Sequence, residues 1–409
     1  MNSIQIRAIV NGNRIDYQYD VYGPWKEAFN SQDSNTWFMK VNGEHRFFVE
    51  YEEDMTGLPQ SLAILPFLSN VLPMAWFYNA DVHLPEIDMD FFKCIPLVKA
   101  GMQERHPNAV LGGNILPQSI VTNEIATGEN TIAMFSGGVD ATFTAISNLE
   151  SKPILATVWG ADIYLKQEAE WGEVISQNRE TARNLGTECV AIKSSFRSFL
   201  DYGPLNDRFA KPLKMDGWWY SVQHSIALVC LAAPVAWKRH AKGIFIASSY
   251  SIEDDPETKC CNWPNIDGNV RYAGLAVTHH DFAVTRQQKV LAITKFFEGT
   301  QIPLNLRVCW KAVAASNCCA CEKCARTIYG IIAEKHDPNN FGFRCDDAAY
   351  ANLEQKIRGK EIRVSSFWYA VVDRIRSNVP GWAEVSHIEA VVSAYDDAQK
   401  RLVRALAPT

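Results

Sequence analysis

The chain has 409 residues, 47% of them hydrophobic and 21% charged, with a formal net charge of -6. That length exceeds what one small core organises and predicts two or three domains of ordinary globular composition, which excludes disorder over most of the chain. The acidic balance also excludes the overall basic footprint of a duplex-DNA binder and leaves nucleic acid only a local patch.

The opening MNSIQIRAIVNGNR lacks the zones of a secretory signal, which predicts a cytoplasmic protein. Eleven cysteines in such a chain predict thiols and metal ligation over disulfides. Residues 1 to about 52 hold β-rich runs at Ile4 to Val10, Arg14 to Val21, Trp37 to Val41 and Arg46 to Tyr51, parted by Asn11-Gly12 and Asn42-Gly43. Two hairpins of a small antiparallel sheet are expected there. From Gln60 to about His106 the apolar spacing is helical, with Leu62, Leu65, Leu68, Leu72 and Trp76 near one face and a further helix from Met89. Lone polar residues such as Asp81 and His83 read as structural. The most apolar windows, Ser61 to Tyr78 and Ser225 to Trp237, are broken by Pro66 and Pro73 or too short to span a bilayer. Both predict buried helices and no membrane. Scattered Gly, Pro, Asn and Thr over Gly112 to Asn130 suggest a linker, so the expected organisation is 1–115, a linker over 116–130, 131–340 and 341–409.

Beyond the linker, apolar runs at Ile132 to Phe135, Ile154 to Trp159, Cys189 to Ile192 and Ile244 to Ser248 alternate with helical stretches at Ala141 to Leu149, Trp171 to Leu185 and Trp218 to Trp237. That alternation predicts a doubly wound α/β domain, its parallel sheet covered on both faces and its ligands at the carboxyl ends of the strands. Tyr250 to His280 reads as a long irregular stretch, a length usually kept for function. Helices are expected at Thr285 to Phe297 and Glu322 to His336, followed by a helical cap at Asp346 to Lys356, Ser366 to Ser377 and Ser386 to Leu406.

Chemistry concentrates first in TIAMFSGGVDAT, Thr131 to Thr142, where a strand, a tight turn and a helix start converge. Backbone N–H groups and the helix dipole make such a turn an anion site, although a plain strand-to-helix connection has the same outline. Gly137 and Gly138 let the backbone approach a phosphate, Ser136 adds a hydroxyl, and Asp140 binds Mg²⁺ or braces the loop. There is no Gly-Lys-Ser/Thr, so this is not the loop that grips β- and γ-phosphates. The second concentration is Cys309, Cys318, Cys321 and Cys324, spaced Cys-x₈-Cys-x₂-Cys-x₂-Cys, a pattern that closes a tetrahedron around Zn²⁺. With all four ligands from protein, the zinc would be structural; Cys319 is out of register.

SGGVDAT resembles the PP-loop of ATP pyrophosphatases, Ser-Gly-Gly-x-Asp-Ser, with Ala141 departing at the last position and Thr142 as a substitute hydroxyl. Paired with the cysteine spacing, it is similar to the 7-cyano-7-deazaguanine synthase family of queuosine biosynthesis and its larger relatives in bacterial antiphage defence. The resemblance covers roughly Asn130 to Lys335. It implies an adenine nucleotide α-hydrolase-like fold with a zinc-binding loop, extended by an N-terminal β-plus-α domain and a C-terminal helical cap. ATP, Mg²⁺ and Zn²⁺ are the implied cofactors, and the reaction is adenylation of a carboxylate or amide with release of AMP and pyrophosphate. Ser136, Asp140 and Arg197 are the expected catalytic residues, and Ser136, Gly137, Gly138, Val139, Asp140, Thr142 and Asp162 the nucleotide site. Implied partners are a small-molecule substrate such as a 7-deazapurine, a modified protein or nucleic acid, a second copy, or defence-complex proteins.

Weaker candidates keep two readings each. Asp162 meets ATP or Mg²⁺, or caps a helix; Arg197 pairs with phosphate or a carboxylate, or is surface charge. His224 enters the cleft or is a core histidine. Asp254, Asp255 and Asp267 bind Mg²⁺ or a purine edge, or are solvated; Arg286, Lys289 and Arg326 neutralise pyrophosphate or are solvated helix charges. Trp218, Trp219 and Trp263 stack on a base or fill the core. Two other functions stay open: sulfur transfer to RNA through Cys189, Cys260 or Cys261, and a non-catalytic sensor of a nucleotide or modified base.

Overall fold

The computed structural model describes residues 2–29, 47–125, 128–253, 258–309 and 316–406. The run expected at Trp37 to Val41 and the Asn42-Gly43 turn lie outside the described residues. Eleven strands follow in chain order: β1 Asn2–Asn11, β2 Arg14–Tyr22, β3 Phe48–Tyr51, β4 Ala80–Asp88, β5 Ile115–Val121, β6 Thr131–Met134, β7 Pro153–Trp159, β8 Cys189–Ser194, β9 Ile244–Ala247, β10 Arg271–Tyr272 and β11 Leu275–His280. The helices are α1 Gln60–Ala63, α2 Leu65–Tyr78, α3 Met89–Arg105, α4 Val139–Ser147, α5 Glu168–Asn184, α6 Tyr202–Leu205, α7 His224–Leu231, α8 Ala233–Lys238, α9 Arg286–Thr300, α10 Glu322–Ala333, α11 Asp347–Arg358, α12 Tyr369–Asn378 and α13 Ser386–Leu406.

All eleven strands share one mixed, mostly parallel sheet in the order β10-β11-β9-β6-β7-β8-β3-β2-β1-β4-β5. Its parallel centre, β8-β7-β6-β9-β11, runs 3-2-1-4-5 along the chain, with the order reversing between β6 and β9. Period-two alternation divides the side chains between two cores. Ile132, Met134, Ile154, Ala156, Ile244 and Ile246 pack with α2 and α7, whereas Ala133, Leu155 and Phe245 pack with α4, α9 and α10. Trp219–Lys238 is long and apolar enough to cross a membrane, yet 78% of that window is buried inside the fold. It is a core helix, as is α2, whose residues are all buried.

The amino-terminal strands join this sheet directly. β3 pairs antiparallel with β8 through Val49↔Ser194, and Ser194 Oγ donates to the Phe48 carbonyl at 2.9 Å. Rings seal the junction: Phe47 lies 5.0 Å from each of Tyr17, Phe67 and Phe199, centroid to centroid. Four strands differ from the expected pattern. The helical run from Gln60 ends at Asn79, whose left-handed backbone (φ 50) lets the chain reverse into β4. The expected linker holds β5, an edge strand beside β4, where Pro117 is tolerated because edge N–H groups need no partner. The stretch expected to be irregular holds the β10–β11 hairpin, turned by Ala273 (φ 50) and Gly274 (φ 81).

Because Phe67 is fully buried among rings from both sides of the β3–β8 junction, Phe67→Ala should cost about 3–5 kcal/mol. Urea unfolding followed by tryptophan fluorescence and by circular dichroism should give one coincident, shifted transition. An unshifted midpoint would contradict this packing.

Candidate functional site

The turn after β6 stands where the strand order reverses, at the carboxyl edge of the sheet, the place where doubly wound sheets bind ligands. Gly137 adopts φ 78, and a Cβ there would lie 2.8 Å from Asn178 Oδ1, so a side chain would be both strained and crowded. Gly138 N-caps α4 with no side-chain cap, Ser136 Oγ accepts its N–H at 3.4 Å, and Val139 begins the buried face of α4. Ala141 and Thr142 are buried behind it. The helix therefore offers its free N–H groups at its opening turn.

Cations gather on this turn. Arg286 and Lys289, one turn apart on α9, both reach Asp140: Arg286 Nη2 to Oδ2 at 2.5 Å and Lys289 Nζ to Oδ1 at 3.3 Å. Lys289 is almost fully buried and also donates to the Ser248 carbonyl at 2.6 Å. Arg326 on α10 bonds Glu322 at 3.3 Å and lies close enough to Arg286 and Asp140 to feel both; burial and then Arg286 push its pKa down. From the other side, the Arg307 N–H donates to the Gly137 carbonyl at 2.8 Å, and burial lowers the pKa of its guanidinium. Helix charges expected to be solvated thus form a wall around the turn, and Arg307, two residues before Cys309, went unrecognised in the sequence. Spacing was the available signal for Arg286 and Lys289, since residues three apart share a helix face, whereas Arg307 lies in an irregular segment.

A second group of polar side chains lies beside the first, at the ends of β7 and β8. Gly160 (φ 105) ends β7, and a Cβ there would sit 1.9 Å from the Ser194 carbonyl oxygen, so glycine lets the loop bearing Asp162 lie against β8. Asp162 is exposed, and its charge reaches both Arg307 and His224. Arg197 donates to the Ala161 carbonyl at 2.9 Å and lies 4.3 Å over the Trp219 ring, while its Nε is buried with no partner. His224 bonds Cys261 Sγ through Nδ1 at 3.2 Å, and burial lowers its pKa, favouring the neutral ring. Donors, an acceptor and an indole face are thereby assembled next to the turn after β6.

Other candidates fall elsewhere. Asp267 is no open ligand: it is fully buried and held by Ser225, Asn262 and His279. Asp254 and Asp255 lie outside the described residues. Trp218 is core, and Trp263 stacks under Arg105 at 4.0 Å. Both oxygens of Asp140 are taken by cations, and among the described residues the four cysteines form the only group of three or more side chains suited to a metal. Among the described residues, therefore, no protein cage for Mg²⁺ is formed.

Cys309, Cys318, Cys321 and Cys324 do fit a metal. Their Sγ atoms all lie within 4.8 Å of one another, with Cys309–Cys321 at 4.0 Å and Cys318–Cys324 at 3.9 Å. Thiolates about 2.3 Å from Zn²⁺ in a tetrahedron would stand about 3.8 Å apart, so the set matches a closed, four-coordinate site. Asn317 stitches it in place, accepting from the N–H groups of Val308 and Cys309 and donating to the Leu306 and Gly342 carbonyls. Since Arg307 sits inside that stitched segment and holds Gly137, the cysteine cluster braces the turn.

Searches against protein-family models, curated proteins and solved structures found no match to the chain.

Elemental analysis should return one zinc per chain, and Cys324→Ser should lose it. Because the metal segment holds the turn, the variant's melting temperature should fall by several degrees, roughly the effect of 1–3 kcal/mol. A wild type that contains no zinc, or a variant that melts at the wild-type temperature, would contradict the assignment.

Proposed function

We propose that the protein adenylates a carboxylate or amide with ATP and releases AMP and pyrophosphate, in the manner of 7-cyano-7-deazaguanine synthase, on a 7-deazapurine or related substrate. One observation carries the reading. A Ser-Gly-Gly turn at a helix N-terminus, at the point where the strand order reverses, is faced by Arg286, Lys289 and Arg326, and Arg307 is bonded to it through its backbone. Arg286 and Lys289 share the single carboxylate of Asp140, so positive charge stays in surplus even with Glu322 on Arg326 and Asp162 near Arg307, and an oligophosphate is the ligand that relieves it. The absence of a Lys-bearing Gly-Lys-Ser loop fits a grip on leaving pyrophosphate in place of γ-phosphate transfer.

In this scheme the acceptor oxygen attacks the α-phosphorus, the α–β bridging bond breaks, and its electron pair leaves on pyrophosphate. The N–H groups of the turn, the Ser136 hydroxyl and the cations of α9 and α10 stabilise the charge on that leaving group. A divalent ion, when bound with the nucleotide, shields the phosphates; no protein group is assigned to hold it. Arg197 and Arg307 attract the acceptor's carboxylate, Asp162 accepts from its N–H groups, and the Trp219 face packs against a planar ring. No covalent enzyme intermediate is needed, and the cysteine cluster is structural. The strands before residue 130 and the helices after 340 suit added docking surfaces, in keeping with a defence complex or a second copy.

Sulfur transfer to RNA is less well supported. Its candidate thiols are protonated by burial, Cys189 pushed up to about 11, Cys260 to about 12 and Cys261 further, whereas the attacking form is the thiolate. A sensor would share the binding geometry and is separated from an enzyme by turnover alone.

Incubation with ATP, Mg²⁺, ammonia and 7-carboxy-7-deazaguanine should yield AMP and the nitrile, and Lys289→Met should slow AMP formation by about a hundredfold. Nucleotide binding with no AMP from any acceptor would favour the sensor; neither binding nor AMP would overturn the proposal.

A further inference from the structure

Ser248, His279 and Asp267 stand in the outline of a hydrolytic triad: Ser248 Oγ lies 2.8 Å from His279 Nε2, and His279 Nδ1 lies 2.5 Å from Asp267 Oδ1. Burial rules that use out. Ser248 and Asp267 are fully buried and the His279 side chain is 2% exposed, so no substrate reaches the hydroxyl. The hydrogen bonds point to a different role. Ser248 Oγ also lies 2.5 Å from the Tyr250 carbonyl, which only accepts, so the single hydroxyl proton is committed there. His279 Nε2 must then donate to Ser248. On the other side, Asp267 Oδ2 accepts from Ser225 Oγ at 2.7 Å and Asn262 Nδ2 at 2.8 Å. The Asn262 amide is oriented by the Ser249 N–H, which its oxygen accepts at 2.8 Å. With two donors already on Oδ2, Asp267 is arranged as a carboxylate, and Oδ1 is left to accept from Nδ1.

We propose that His279 carries protons on both ring nitrogens and, paired with Asp267, acts as a positioning residue that clamps Ser248 so that its carbonyl fixes Lys289 beside Asp140. The path is short and continuous. Asp267 holds His279, His279 holds the Ser248 hydroxyl, and the Ser248 carbonyl receives Lys289 Nζ at 2.6 Å, which leaves that ammonium 3.3 Å from Asp140. A buried ammonium on a flexible four-carbon stem needs such a fixed acceptor to stay aimed. The effect on Lys289 rests on the reading of the turn as a phosphate site; the placement of the protons does not.

Two measurements test it. In a ring-nitrogen NMR spectrum at neutral pH, the His279 signals, identified by their loss in His279→Gln, should both fall in the protonated range; an unprotonated nitrogen there overturns the inference. Calorimetry with inorganic pyrophosphate then tests the path to Lys289. His279→Gln should weaken binding by about tenfold in the wild-type background and by less than about twofold in Lys289→Met, because the two act through one contact. Ser248→Ala, which leaves the Asp267–His279 pair whole, should behave alike if His279→Gln does not fold. Equal losses in both backgrounds overturn the positioning role. If wild type binds no pyrophosphate, the phosphate reading falls and the positioning role falls with it, while the NMR result stands for or against the proton placement independently.

Discussion

Asp140 held between Arg286 and Lys289 is the contact on which the site depends, because it ties the turn after β6 to a helix almost 150 positions further along the chain. Lys289 is nearly buried, and an ammonium removed from water is costly unless paired and hydrogen-bonded. Asp140 and the Ser248 carbonyl supply that pairing for Lys289, but Arg286, Arg307 and Arg326 crowd the same turn. Like charges packed this closely raise the free energy of the empty site, and a multiply charged anion lowers it. In the proposed function, binding strength there would come from charge that the fold has already assembled.

The sheet accounts for how the assembly is possible. Reversal of strand order between β6 and β9 opens a crevice at their carboxyl ends, and the segments after β6, β7, β8, β9 and β11 all end there. Two local devices keep them close. Gly160 allows the loop after β7 to lie on β8, and Asn317 fastens the segment of Arg307 to the cysteine cluster. The cluster thus reaches the turn through backbone, from Cys309 to Arg307 to the Gly137 carbonyl.

Much of this was legible in the sequence where one residue type dominates a short window. The four apolar runs of the central sheet, the Ser-Gly-Gly turn and the spaced cysteines each carry their signal within a short window, and each of those windows holds the expected kind of element or cluster. Features that depend on distant partners were not legible. β4 carries Pro85, Glu86 and Asp88 and is a strand because β1 and β5 flank it; β5 is a largely exposed edge strand interrupted by Pro117. Lys289 reads as an ordinary helix charge until α9 packs on α4 and Ser248 turns its carbonyl toward it. Asp267 reads as a loop acid until His279, Ser225 and Asn262 enclose it.

The account stands or falls on where a phosphate chain lies. A crystal structure with a non-hydrolysable ATP analogue tests that most directly. The account predicts the β- and γ-phosphates against the N–H groups of Gly137 and Gly138 and within reach of Arg286, Lys289 and Arg326. Phosphates bound elsewhere, with the Asp140 ion pairs intact and this turn empty, would contradict it.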